Sequence, residues 1–219
     1  MVSIGLLGGT GIEAKGLALR FAACGAAVVV GSRSGERASQ AAEACNRILG
    51  KPLVRGLENG GMIATCEIVF LTVPFALAAE AVESCRRLFN SDNILVDVTV
   101  PMVFRAGHAV YHERDELSNS EIIARHLPDG VPLVAAFKTI PAAVLADLGI
   151  PLDCDVFVCS DSREAKQKVM ATAALVSTLR PLDGGPLRAA RTLERMSVLA
   201  AELNRRYKSK GARFRVEGI

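Results

Sequence analysis

The stretch Val2-Ser3-Ile4-Gly5-Leu6-Leu7-Gly8-Gly9-Thr10-Gly11-Ile12-Glu13-Ala14-Lys15-Gly16 decides the fold. A compact apolar run, Val2 to Leu7, reads as a strand covered on both faces. Gly9-x-Gly11-x-x-Ala14 follows at once and opens a helical pattern, which is the setting a dinucleotide fingerprint requires. Gly9 allows the tight turn, Gly11 lets backbone approach a pyrophosphate, and Ala14 is small enough for helix to pack on strand. The free N–H groups and positive dipole end of that helix aim at the phosphates. Glu13 is the odd residue: an acid suits a helix's first turn, yet it repels a bound phosphate unless it points away.

Short β runs and helical stretches alternate along the rest of the chain. Strands are expected at Ala27 to Val30, Ile68 to Leu71 and Ile94 to Val96, with a weaker one from Leu53 to Leu57 before the turn Asn59-Gly60-Gly61. Helices are expected over Ala14 to Cys24, Glu36 to Leu49 and Ala76 to Leu88, rich in Ala, Leu, Glu and Arg. Further strands are placed at Leu133 to Phe137, Val156 to Cys159 and Leu179 to Leu182, and helices at Ser118 to Leu127, Ser162 to Ser177 and Leu187 to Tyr207. This is the pattern of an α/β, doubly wound Rossmann-type sheet extended by additional C-terminal strands and helices. With no linker or repeat, the expectation is one dinucleotide-binding unit over 1–219 with a C-terminal extension from about 181, whose tail from Lys208 needs a partner surface to be ordered.

The end of the second strand selects the dinucleotide. An NAD site places Asp or Glu there for the ribose hydroxyls. This chain reads Val30-Gly31-Ser32-Arg33-Ser34-Gly35-Glu36-Arg37, with no acid at the tip. Ser32, Arg33 and Arg37 offer a hydroxyl and two guanidinium groups to a 2′-phosphate, so NADP is the expected cofactor. Thr72-Val73-Pro74, after the Ile68–Leu71 run, passes beside the ribose and nicotinamide in such a crevice, and Asp97-Val98-Thr99-Val100-Pro101 stands at the equivalent edge.

Composition narrows the class. In 219 residues that are 50% hydrophobic, no apolar stretch runs far enough to cross a bilayer, and a net charge of +3 is too mild to argue for nucleic acid. The start lacks the pattern of a secretory signal, which points to the cytoplasm. Six cysteines sit singly, as reduced, packed thiols do. His108 and His112, four apart on a helix face or in the polar loop that runs on through Glu113-Arg114-Asp115-Glu116, have no third ligand, so no metal is expected. His126 is read as a favourable charge at a helix C-terminus.

Several phrases together resemble one family, the NADPH-dependent reductases of the deazaflavin coenzyme F420. They are Leu7-Gly8-Gly9-Thr10-Gly11, Lys15-Gly16-Leu17-Ala18-Leu19-Arg20, Val30-Gly31-Ser32-Arg33, Leu71-Thr72-Val73-Pro74, Thr139-Ile140-Pro141-Ala142-Ala143 and Arg180-Pro181-Leu182-Asp183-Gly184-Gly185-Pro186-Leu187. The resemblance implies reversible hydride transfer between C4 of the nicotinamide and C5 of the deazaflavin. It implies NADP contacts at Thr10, Gly11, Ile12, Glu13, Ser32, Arg33, Arg37, Val100 and Ala142. The deazaflavin is then expected over the nicotinamide, near the Thr-Ile-Pro-Ala turn and the C-terminal segment around Lys210. Separately, a fold with its site at one edge often borrows a neighbour's surface, so a homodimer is expected. The two cofactors carry the chemistry, so no proton-transferring residue is assigned. Where the family often has His before Thr-Ile-Pro, this chain has Lys138: a contact to an anionic deazaflavin oxygen, the mark of another acceptor, or a lysine snorkelling from a strand end. The residues leave open an NADPH reductase of flavin, ferric chelate or a small carbonyl, and an NADP-sensing regulator without turnover.

Overall fold

The computed structural model describes residues 2–113 and 116–219; the middle of the Glu113–Glu116 run lies outside them. Eight strands form one sheet: β1 (Ser3–Leu7), β2 (Ala27–Ser32), β3 (Val54–Glu58), β4 (Ile68–Leu71), β5 (Ile94–Asp97), β8 (Leu133–Ala135), β9 (Cys154–Cys159) and β10 (Leu179–Gly185). Their order is β10-β9-β8-β5-β4-β1-β2-β3. Pairing is parallel from β3 through β8, β9 meets β8 antiparallel, and β10 runs parallel to β9. The chain moves outward from β1 to β3 and then crosses back to β4, so the order reverses beside β1. A crevice opens there at the carboxyl ends of the strands, where such sheets bind ligands.

The continuous apolar runs are explained by two cores, one on each face of the sheet. Ile4, Leu6, Val28, Val30 and Phe70 point into the layer with α1 (Ile12–Ala23), α2 (Gly35–Leu49) and α7 (Arg163–Ala174). Alternate residues Leu7, Val29, Val69 and Leu71 point into the layer with α3 (Asn59–Thr65), α4 (Phe75–Cys85), α5 (Asn119–Ala124) and α8 (Ala190–Arg206). The central strands β1, β2, β4, β5 and β8 are therefore buried on both sides, while the edge strands β3 and β10 are only partly covered.

Several local expectations change. The stretch read as a loop or helix face around His108 is a hairpin, β6 (Met102–Arg105) and β7 (His108–Tyr111), so His108 and His112 share no helix. Asn59-Gly60-Gly61 opens the short helix α3 and is no simple turn. Helix α5 stops at Ala124, and His126 lies beyond it with Nδ1 3.0 Å from Glu83 Oε2 on α4. The tail from Lys208 needs no partner to be ordered. It docks on its own chain: Asp155 N donates to Phe214 O at 2.9 Å, Arg213 donates to the carbonyls of Pro151 and Leu152, and Arg215 pairs with Asp153. All six cysteines are free, five of them buried. Among the described residues no helix is long and apolar enough to cross a membrane, and no three His, Cys, Asp or Glu side chains are grouped to hold a metal.

Candidate active site

The glycine loop is shaped from both sides. Gly8 has φ 77°, and a Cβ there would lie 2.2 Å from Val73 Cγ1, so the loop passes against the β4–α4 turn with no room for a side chain. Gly9 donates its amide to Gly31 O at 2.8 Å, and a Cβ on it would strike Leu6 O and Val30 Cγ1. Its task is thus to bring the loop against β2. Gly11 is the reverse: nothing stands within 4 Å of where its Cβ would be. Gly11 is also the N-cap of α1 and provides no side-chain cap, leaving the first amides of that helix for an anion.

From this loop a groove runs in two directions, and both halves share Gly11, Thr72, Val73 and Pro74. The outer half, about 600 Å³, is lined by Thr10, Ser32, Arg33, Arg37 and Asn59 among others. Ser32 is buried, and its Oγ accepts from Ser34 N at 3.3 Å. Ser34 in turn caps α2 by accepting from Arg37 N. This pair of turns fixes the backbone from which Arg33 and Arg37 project, both exposed and in no ion pair among the described residues. Asn59 Oδ1 is buried at the same end without a hydrogen-bond partner. An open cradle at Gly11, free helix amides and two uncommitted guanidinium groups fit a dinucleotide bearing an extra phosphate.

The inner half, about 650 Å³, is lined by Ile12, Glu13, Val98, Thr99, Val100, the turn Thr139–Ala142, and from α8 Ser197, Ala200, Ala201 and Asn204. Thr72 anchors the shared wall, its Oγ1 donating to Leu7 O at 2.9 Å. Burial pushes the Glu13 carboxyl up to about 8, so it is largely neutral at neutral pH. Glu13 lines this half and not the outer one, which keeps it from the Arg33 end.

Beneath the inner half lies a buried polar network. Lys138 Nζ sits 2.8 Å from Asp97 Oδ2 and 3.5 Å from Glu194 Oε1, with all three side chains fully buried, and it donates to Thr99 O. Asp97 also accepts from Thr99 N, Thr99 Oγ1 and Ser120 Oγ at 2.6–2.8 Å. Glu194 accepts from Tyr111 OH at 2.8 Å and from the Asn119 amide at 3.2 Å. Burial, and then the carboxylate it donates to, push the Tyr111 phenol well above its usual range. Every group facing the two carboxylates is a donor, as buried anions require.

Residues 3–101 match the family model described as NADP oxidoreductase, coenzyme F420-dependent. The chain is 35% identical to the F420-dependent NADP reductase of Methanothermobacter thermautotrophicus, covering 100% of this chain and 96% of the relative. It is 31% identical to that of Methanocaldococcus jannaschii, covering 100% and 99%. It belongs to the F420-dependent NADP reductase family. A solved structure from Arthrobacter sp. FB24, of a proposed F420-dependent NADP reductase, superposes with a TM-score of 0.80 over the whole of both chains at 23% identity, which speaks for the fold.

Within this family member, the groove gathers most of the residues expected from sequence. Thr10, Gly11, Ile12, Glu13, Ser32, Arg33, Arg37, Thr72, Val73, Pro74, Val100 and Ala142 all line it. Gly9 lies behind the loop, and Lys210 is exposed beyond α8, outside the lining. Lys138 also lines the inner half but does not snorkel to solvent: its side chain is fully buried, with the ammonium held between two carboxylates. Sequence reasoning missed Asn59 and the α8 face. The signal for that face was present: Ser197, Ala200, Ala201 and Asn204 recur at 3, 4 and 7, one side of a helix, all small or polar.

Proposed function

We propose that this chain transfers hydride between NADPH and the deazaflavin coenzyme F420. The observation carrying this reading is the end-to-end match to F420-dependent NADP reductases, 31–35% identical with essentially the whole of each chain aligned. The two-part groove supports it, since its halves suit the two ends of one dinucleotide. Ser32, Arg33 and Arg37 hold the 2′-phosphate, the opening of α1 with Thr10 and Gly11 holds the pyrophosphate, and Thr72-Val73-Pro74 borders the ribose. Gly9 shapes the loop behind them.

When bound, NADPH would supply the hydride, from C4 of its nicotinamide to C5 of the deazaflavin. The protein's part is to orient the two rings and exclude water between them. Val98, Val100, Ile140 and Ala142 give apolar walls, and the small side chains of Ala200 and Ala201 leave space for flat rings. No side chain is assigned a proton transfer. We further propose that residues 1–219 act as one unit with a C-terminal extension from about 181, that the protein is a cytoplasmic homodimer, that it takes no nucleic acid, and that Lys210 lies on the approach of the acceptor.

The test is reduction of F420 by NADPH with purified protein, followed by loss of deazaflavin absorbance, with NADH, flavin mononucleotide and a ferric chelate as comparisons. Turnover with F420 and NADPH well above the other pairs is the expected result. NADPH oxidation with flavin or ferric chelate but not with F420 would overturn the reading.

A further inference from the structure

Three walls of the inner half meet at one side chain. The end of β5 presents Asp97 and the loop after it Thr99, whose carboxylate and carbonyl respectively accept from Lys138 Nζ. Helix α8 presents Glu194 at 3.5 Å from the same ammonium, and Ser197 Oγ donates to the Lys138 carbonyl at 2.7 Å. Lys138 itself begins the turn Thr139–Ala142. The preceding residue, Phe137, has φ 59°, a left-handed backbone that costs a bulky residue energy and persists only when its surroundings enforce it. Its ring packs on Phe21 and Phe70 at 5.8 and 5.5 Å between centroids, which holds one side of the bend. The Lys138 network holds the other. The outer half, with Ser32, Arg33, Arg37 and Asn59, shares none of these contacts.

Stability alone is a poor reason for this arrangement. Taking such groups out of water is costly, and well-packed apolar residues often do as well or better than a buried ion pair. What such a network supplies is geometry: each partner must sit in one place for all donors and acceptors to be met. We propose that Lys138 is a positioning residue. Its ammonium, held by Asp97 and Glu194, locks the Thr139–Ala142 turn to the β5 loop and to α8, and so sets where the nicotinamide end of the dinucleotide lies. The proposal rests on the dinucleotide reading of the groove, and it does not depend on which acceptor is used.

The experiment compares two ligands by direct titration: NADPH, which spans both halves, and adenosine 2′,5′-bisphosphate, which occupies the outer half alone. In Lys138→Met the Kd for NADPH should rise about tenfold while that for the bisphosphate stays within about twofold of wild type. Backbone amides of 139–146 should exchange faster than in wild type. Lys138→Met leaves two buried carboxylates without their cation and can fail to fold. Asp97→Asn is therefore the companion: it removes the shorter ion pair yet leaves Lys138 and Glu194 balanced one to one. It should show the same split, at about threefold for NADPH. A general structural loss would weaken both ligands alike, and that result overturns the proposal. So does a folded variant in which neither affinity nor exchange changes. If wild type binds neither NADPH nor the bisphosphate, the dinucleotide reading fails first and takes the proposal with it.

Discussion

Glu13 should make the stability of this protein fall as pH rises through neutrality. Burial raises its carboxyl from 4.5 to about 8 in the folded state. Between those values the folded chain keeps the proton and the unfolded chain has lost it. The unfolded state then binds fewer protons, so stability declines with rising pH. The contribution is fully present below 4.5 and is lost as pH passes about 8. The shift of 8 − 4.5, three and a half pH units, sets a ceiling of about 5 kcal/mol at ~1.4 kcal/mol per unit. Glu13 lines an open groove, and solvent screening there brings the expected effect to about 2 kcal/mol. The assay is urea denaturation of wild type and Glu13→Gln at about pH 5 and about pH 9. The two should be close at the lower pH, and the glutamine variant should be more stable at the higher. NADPH affinity should follow, falling at high pH in wild type as a carboxylate appears beside the phosphate loop, and staying flat in the variant. A stability difference between the two proteins that is the same at both pH values would refute the argument.

Other expectations follow from the same geometry. Arg33→Ala should weaken NADPH by about 1.5–3 kcal/mol, a tenfold to hundredfold rise in Kd, with NADH nearly unchanged; equal losses would mean that Arg33 does not read the 2′-phosphate. Gly11→Val should abolish dinucleotide binding in a folded protein, because its Cβ has open space and the branched side chain would fill the cradle; unchanged NADPH affinity would place the nucleotide elsewhere. Arg20→Met should cost about 3 kcal/mol in denaturation, since the buried guanidinium donates to the carbonyls of Val144, Leu145, Asp147 and Ile150 and so caps the short helix α6 (Ala142–Leu145); a loss too small to measure would show those carbonyls satisfied by water. Lys210→Glu should raise the apparent KM for F420, with salt acting in the same direction; indifference to both would remove the basic tail from substrate steering.

The parts of this protein that could be read from sequence are those built by neighbours in the chain. Gly9 answers a backbone demand set by its own strand and the next one, Gly11 keeps the start of α1 open, and Ser32 and Arg33 sit at a strand end whose position the apolar run already announces. The groove's inner half is made differently. Lys138 reaches Asp97 across 41 residues, Tyr111 reaches Glu194 across 83, and α8 returns from the far end of the chain to close the wall. Nothing local in a lysine before Thr-Ile-Pro reveals that its ammonium will be buried between two carboxylates. The hairpin failed for a related reason. Ala106 and Gly107 both take positive φ, 48° and 81°, and the Gly between β-prone Val103-Phe104 and Val110-Tyr111 was a turn signal outweighed by the spacing of two histidines. The tail misled in the opposite sense, for Arg213 and Arg215 look like free charge in sequence and are tied to Leu152 and Asp153 in the fold. The half of the groove assigned to the adenine end of NADP is thus encoded in short motifs, whereas the half assigned to the nicotinamide end is assembled by long-range contacts. Changes at Lys138, Asp97 or Glu194 can therefore remodel that half while the fingerprint, and with it the family signature, stays intact.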